Sequence, residues 1–241
     1  MIEKKKNIII GVIPARYAST RLPGKSLFEI KGKPMLQRVY EQAKKSKFLN
    51  KVIVATDDRR IYNCVKNFGG EVVMTSVKHK SGTDRICEAI KRTKADIIVN
   101  IQGDEPFIPS SNINLAVEPL LKDKGLNVST LAIETNEPDD PNKVKVIFDK
   151  NNFAIYFSRY AIPFNRDNGN IIYFKHIGLY VYRKKYLLKF ARMKQTALER
   201  AEKLEQLRMI ENGEKIKVVI TKKDSISIDT KEDLQLVNRK E

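Results

Sequence analysis

The run Asn7-Ile8-Ile9-Ile10-Gly11-Val12-Ile13-Pro14, followed by Ala15-Arg16-Tyr17-Ala18-Ser19-Thr20-Arg21-Leu22-Pro23-Gly24-Lys25, decides the fold. Its first part is apolar and β-branched without polar alternation, the pattern of a central parallel strand buried on both faces. Lysines precede it, as in a secretion signal, but the apolar run is short, Gly11 interrupts it, and Pro14-Ala15-Arg16 closes it. The second part is a polar loop with three cations at the strand's carboxyl end, where open α/β sheets place their ligands.

Working outward, the first half alternates strand-like and helix-like segments. A helix is expected over 34–45, with Pro34 opening it and Met35, Leu36, Val39 and Ala43 on one face. Strands follow at 52–55, 71–74 and 96–101. Between them stand a helix capped at Asp57-Asp58 and ending at Gly69-Gly70, and another over 83–91. This rhythm predicts an α/β fold: a Rossmann-like, twisted, mostly parallel sheet with helices on both faces. The second half is less regular. Strands are expected at 128–133, 144–148, 153–158, 175–182 and 217–220, helices at 186–192, 197–212 and 230–237, and an exposed loop over 161–169. No linker separates autonomous domains, so residues 1–241 read as one domain.

Composition narrows the function classes. The 241 residues carry 46 Lys and Arg against 29 Asp and Glu, a formal +17. Such a balance favours anionic partners, nucleic acid among them. Here, however, the excess is spread over both halves and is mostly lysine, with Lys4-Lys5-Lys6 the longest run. That fits a solvated surface and a basic cleft for small anions better than a base-reading stripe. No stretch approaches the roughly 18 apolar residues of a membrane helix. Cys64 and Cys87 lack CxxC spacing and a nearby His, and read as reduced core thiols of a cytoplasmic protein.

Three segments carry chemistry. The 14–25 loop offers backbone N–H groups, Arg16, Arg21 and Lys25 to a polyphosphate. It is not a Walker loop, since Ser19 stands where that motif needs Gly, and there is no GxGxxG. Next, Gln102-Gly103-Asp104-Glu105-Pro106 follows a strand and offers hard oxygen ligands suited to Mg²⁺ with phosphates, and Asp229 could add a second carboxylate. Taken singly, Asp104-Glu105 also reads as a turn and Asp229 as a helix cap. Third, Ser81-Gly82-Thr83 is a capped helix start. His176 alone reads as a structural histidine, and Glu205 with Arg208 as a helix-face ion pair.

The blocks IPARYASTRLPGK (13–25), KPM (33–35), VATD (54–57), SGTDR (81–85), QGDEP (102–106), YFSR (156–159), KHIGLYVYR (175–183), LEQLR (204–208) and IDTKEDL (228–234) occur in order. Together they resemble the 3-deoxy-D-manno-octulosonate (Kdo) cytidylyltransferase family, the CMP-Kdo synthetases, over about residues 8–237. Small departures are Val181 and Ser227, where the family commonly has Gly, and Ala197, where it has Pro. The resemblance implies the nucleotide-diphospho-sugar transferase type of sheet, with a smaller integrated region near 150–175 for sugar binding and dimerisation. It also implies CMP transfer from CTP to Kdo in a homodimer; Mg²⁺ as cofactor and a cytoplasmic location are expected with it, and neither nucleic acid nor membrane insertion is expected among the partners.

Site residues follow from the matched blocks. Arg16, Lys25 and Asp104 are expected to be catalytic. Ala15, Arg16, Arg21, Lys25, Ser81, Gly82 and Arg85 would bind the nucleotide. Gln102, Arg159, His176, Tyr180, Glu205 and Gln206 would bind the sugar, and Asp104 and Asp229 the metal. Alternatives are the same chemistry on 8-amino-Kdo or a sialic acid, a glycosyltransferase using Asp104-Glu105 as its metal motif, and a nucleic-acid-binding module.

Overall fold

A computed structural model of the chain describes residues 7–18, 22–167 and 169–239. The chain divides into two compact units, residues 1–114 with 225–241, and residues 115–224.

In the first unit, β1 (Ile9–Ala15) is buried along almost its whole length, as its unbroken apolar run requires. It pairs in parallel with β4 (Lys51–Thr56) on one side and β6 (Ile97–Asn100) on the other, and β5 (Val72–Met74) adds to β4. The strand order is therefore β5-β4-β1-β6. Each fully buried Ile or Val here contributes about 1.5–3 kcal/mol relative to exposure, and Val12, Ile13, Val54, Ile97, Ile98 and Val99 are all at 0% exposure. A small hairpin, β2 (Glu29–Ile30) with β3 (Lys33–Pro34), leads into α1 (Met35–Lys44). Pro34 caps that helix, and the face expected to be buried is buried. Asp58 caps α2 (Arg59–Asn67), its carboxylate accepting from the Arg60 N–H, and Ser81 caps α3 (Gly82–Ile90).

Helix α4 (Ser110–Lys122) has no counterpart among the sequence expectations. In the second unit, β7 (Val128–Thr135) runs antiparallel to β10 (Tyr173–Arg183) and parallel to β11 (Ile216–Ile220). β8 (Lys145–Phe148) and β9 (Ala154–Ser158) form an antiparallel pair attached through β8 to β10. α5 (Lys184–Phe190) follows β10 directly. The single helix expected over 197–212 is two helices, α6 (Ala197–Glu202) and α7 (Gln206–Glu211). Lys203 breaks the run with a left-handed conformation, φ 56°.

Back in the first unit, α8 (Lys231–Arg239) packs Leu234 and Val237 against Ile30, Met35 and Ile228. Asn238 ties it to the hairpin, accepting from the Lys31 N–H at 2.9 Å. Helix α8 and the hairpin are thereby joined in one core.

Candidate active site

The loop after β1 is closed by its own backbone. The Gly24 N–H donates to the Tyr17 carbonyl at 2.8 Å, and Leu22 is buried. Gly24 adopts φ 71°, and a Cβ there would meet the Tyr17 ring at 2.8 Å, so only glycine turns the chain at this point. The Arg60 guanidinium lies 3.3 Å from the centre of the Tyr17 ring. Arg16 is exposed on this loop. Arg21 lies outside the described residues.

Lys25 follows the turn, and its ammonium donates to Asp104 Oδ2 at 2.6 Å and to Asp229 Oδ1 at 3.0 Å. Burial pulls its pKa down, but the Asp104 charge and hydrogen bond, with those of Asp229, outweigh that and hold it above the ordinary lysine value. Three residues expected at the site thus meet at one point. Asp104 arrives from β6 through Gly103, where a Cβ would stand 3.1 Å from the Pro14 carbonyl oxygen. Asp229 arrives on a segment with no regular structure, so discrete tethers place it. The Ile228 N–H donates to the Asp104 carbonyl at 2.9 Å. The Ser225 hydroxyl donates to Glu105 Oε2 at 2.5 Å, with both residues buried. Asp233 accepts from the Asp229 and Thr230 N–H groups at 2.9 Å each. Burial raises the Asp233 pKa, but those N–H donors and Thr230 together bring it below the usual value.

Ala15 ends β1 opposite Thr56, and Gly82 opens α3 close to the Pro14 ring, so the helix start lies at the carboxyl end of β1. The Ser81 hydroxyl accepts from the Asp84 N–H at 3.1 Å. Arg85, expected on the nucleotide, is buried. Its guanidinium donates to Thr75 Oγ1 and Asp57 Oδ2, each at 2.6 Å, joining the segments after β4 and β5 to α3.

The second unit holds most of the residues expected on the sugar. His176 sits on β10 between the Phe157 and Tyr180 rings, 5.0 and 5.2 Å away, and desolvation there pushes its pKa down to about 3. Its Nε2 lies 2.9 Å from Thr130 Oγ1, whose hydroxyl is also 2.9 Å from the Leu179 carbonyl. A hydroxyl has one proton, and here that proton is donated to the Leu179 carbonyl. We therefore assign the ring proton to Nε2, which leaves Nδ1 as an acceptor. Tyr180 is buried, with Thr130 beside its hydroxyl. Burial, and then the Glu205 charge, raise its pKa well above the usual tyrosine value. Glu205 caps α7, whose first residue is buried Gln206. Arg159 donates from its backbone N–H to Glu202 Oε2 at 2.9 Å, and from its guanidinium to the Glu202 and Pro141 carbonyls at 3.0 Å each. Arg208 makes a buried two-pronged pair with Glu199, at 2.5 and 2.7 Å, because the break at Lys203 folds α6 onto α7. Gln102, the remaining sugar residue, belongs to the first unit.

The family model described as cytidylyltransferase matches residues 10–216. The chain belongs to the cytidylyltransferase family. The 3-deoxy-manno-octulosonate cytidylyltransferase of Trichlorobacter lovleyi is 49% identical over 240 residues, covering 94% of this chain and 95% of its own. The one from Fusobacterium nucleatum is 52% identical over 232 residues, covering 95% and 94%. Among solved structures, CMP:2-keto-3-deoxy-manno-octonic acid synthetase complexed with CTP is 40% identical with a TM-score of 0.93, covering 96% of this chain and 97% of that one. A 4-diphosphocytidyl-2C-methyl-D-erythritol synthase from Anaerococcus prevotii shares the fold, at TM-score 0.64 and 16% identity.

For a cytidylyltransferase the donor set around Lys25 is informative. No cluster of three or more His, Cys, Asp or Glu converges among the described residues, so they form no all-protein metal cage. Two carboxylates held beside one ammonium suit Mg²⁺, which keeps waters and takes its other ligands from substrate phosphates. Residues without a role among the sequence expectations include Ser225, Thr75, Thr130 and Glu202. Each acts by holding another residue, and none stands in a motif that signals it.

Proposed function

We propose that this chain transfers CMP from CTP to the anomeric hydroxyl of Kdo, releasing pyrophosphate and supplying CMP-Kdo for lipopolysaccharide assembly. The observation that carries the reading is near-full-length likeness, at 49% and 52% identity, to enzymes named for that sugar. Those names favour Kdo over 8-amino-Kdo, a sialic acid or a glycosyltransferase reaction.

In the reaction the hydroxyl oxygen bonds to the α-phosphorus in line while the bond to the β-phosphate's bridging oxygen breaks, and the hydroxyl proton passes to solvent. No covalent enzyme intermediate is needed, so the protein's contribution is positioning and charge neutralisation. Arg16 and Lys25 hold the triphosphate and stabilise the departing pyrophosphate, with Arg21 as a helper. Lys25 is supported in this role by its charge and by its two carboxylate partners, which orient the ammonium before substrate arrives. Asp104 and Asp229 would hold Mg²⁺, which supplies charge neutralisation and lowers the attacking hydroxyl's pKa. Ala15, Ser81 and Gly82 meet the cytidine, and Arg85 supports them through Asp57 and Thr75. Gln102, Arg159, His176, Tyr180, Glu205 and Gln206 bind Kdo, with Arg159 suited to its carboxylate.

The reading includes a homodimer in the cytoplasm. Exposed Ile155, Tyr160, Phe164 and Ile172, at 54–86% exposure within one stretch, support association through that stretch. CTP as substrate supports the compartment, and among the described residues no helix is long and apolar enough to cross a membrane. Incubation of CTP with Kdo, 8-amino-Kdo and a sialic acid, read as pyrophosphate release with and without Mg²⁺, tests substrate, acceptor and metal together. Release with Kdo in Mg²⁺ is expected, and turnover confined to another sugar would overturn the reading.

A further inference from the structure

Lys145 on β8 is a fully buried lysine at 0% exposure. No carboxylate lies within ion-pair distance of its ammonium among the described residues. Instead, Nζ donates to two backbone carbonyls, Asp140 and Arg159, each at 2.7 Å. Burial pulls its pKa below the ordinary lysine value, against the more distant charges of Asp140, Asp139 and Glu202. A buried ammonium costs several kcal/mol in desolvation, and an apolar side chain of similar length would fill the same space without that cost. Stability alone therefore does not account for the residue.

Its two acceptors show what it holds. One is the carbonyl of Arg159 itself, and the other belongs to Asp140, beside Pro141, whose carbonyl receives Arg159 Nη1. Glu202 grips Arg159 on its backbone N–H and its Nε. Main chain and guanidinium are thus fixed at several points, while Nη2 has no acceptor among the described residues. Lys145 pairs across the strands with Ser158 on β9 and with Lys175 on β10, and Asp224 accepts from Lys175 at 2.6 Å. Lys145 is left as the cation of this strand pair without a carboxylate of its own.

We propose that Lys145 is a positioning residue for recognition of the acceptor sugar's carboxylate: it fixes Arg159 and the 139–141 turn so that the free guanidinium nitrogen is presented to that anion, and its own charge adds to the attraction. The inference rests on the assignment of Arg159 to the sugar acid under the proposed function. No proton or bond changes hands at Lys145.

The test measures KM for Kdo and for CTP in wild type, Arg159→Ala, Lys145→Met and the double variant, with thermal melts alongside. Lys145→Gln, which keeps a donor but is too short for both carbonyls, serves as a second variant. Lys145→Met should raise KM for Kdo by about tenfold while KM for CTP stays within about twofold, and should add little to Arg159→Ala because the two act as one unit. If Arg159→Ala leaves KM for Kdo unchanged, the assignment of Arg159 fails. If Arg159→Ala weakens Kdo binding and Lys145→Met does not, or weakens both substrates equally, or adds fully to Arg159→Ala, the role of Lys145 fails. Loss of folding in both Lys145 variants would also overturn it, showing that the residue serves the fold.

Discussion

Lys25 and Asp229, 204 residues apart in sequence, meet at 3.0 Å, with Asp104 closing the group at 2.6 Å from the same ammonium. The three groups hold one net negative charge beside the cation-bearing loop, and under the proposed function a metal-bound triphosphate enters by taking the Lys25 ammonium as a hydrogen-bond donor to its oxygens.

Asp104→Asn keeps the side chain's shape and its backbone bond to Ile228 but removes the charge. CMP transfer is expected to fall by about 100-fold or more, while the thermal melt stays close to wild type. Near-normal Mg²⁺-dependent pyrophosphate release would remove Asp104 from the metal role.

Ser225→Ala deletes the buried donor to Glu105. A hydrogen bond to a charged acceptor contributes about 1.5–3 kcal/mol, so denaturant unfolding should show a loss of that order. Because the same contact docks the segment carrying Asp229, the Mg²⁺ concentration for half-maximal rate should rise by about 10–100-fold, the effect typical of groups that orient metal ligands.

Arg85→Ala leaves Asp57 with its charge and no partner, and should destabilise the protein by about 3 kcal/mol. It should also raise KM for CTP, because α3 loses its tie to the segments after β4 and β5. Arg85→Lys retains the cation and should recover part of both losses. A direct nucleotide contact would instead weaken CTP without changing the melt.

His176 has a folded pKa of about 3, below its unfolded value near 6.5. Between those values the unfolded chain binds the additional proton, so stability falls as pH drops through that window, by up to about 1.4 kcal/mol per pH unit. His176→Asn should flatten that slope in melts taken from pH 7 to pH 4. Wild-type kcat/KM for the sugar should show no His176 titration near 6.5, since the ring stays neutral.

The alternating strands and helices of residues 7–101 were legible because each buried face repeats within a few residues, and β1, α1 and α2 follow their patterns closely. Helix α4 was not. Its apolar residues Ile113, Ala116, Val117 and Leu120 are spaced for a helix, but Pro119 lies within the run and obscured it. The helix over 197–212 was read as one because its composition is uniformly helical, and the left-handed Lys203 that divides it has no residue-type signature.

From sequence alone came the α/β class, the cation-bearing loop after the first strand, the family, and the candidate site residues themselves. These depend on local periodicity and on motifs whose members are close in the chain. Only the tertiary structure decided which partners these residues and their neighbours meet: Lys25 is shared between two carboxylates, Arg85 pairs with Asp57 and Thr75, Arg208 pairs with Glu199, and buried Lys145 donates to the Arg159 carbonyl. Each of those outcomes depends on which distant donor and acceptor arrive at one buried point. The cost of leaving a buried polar group unpaired selects among such partners, and that selection has no period in the chain for a sequence to display.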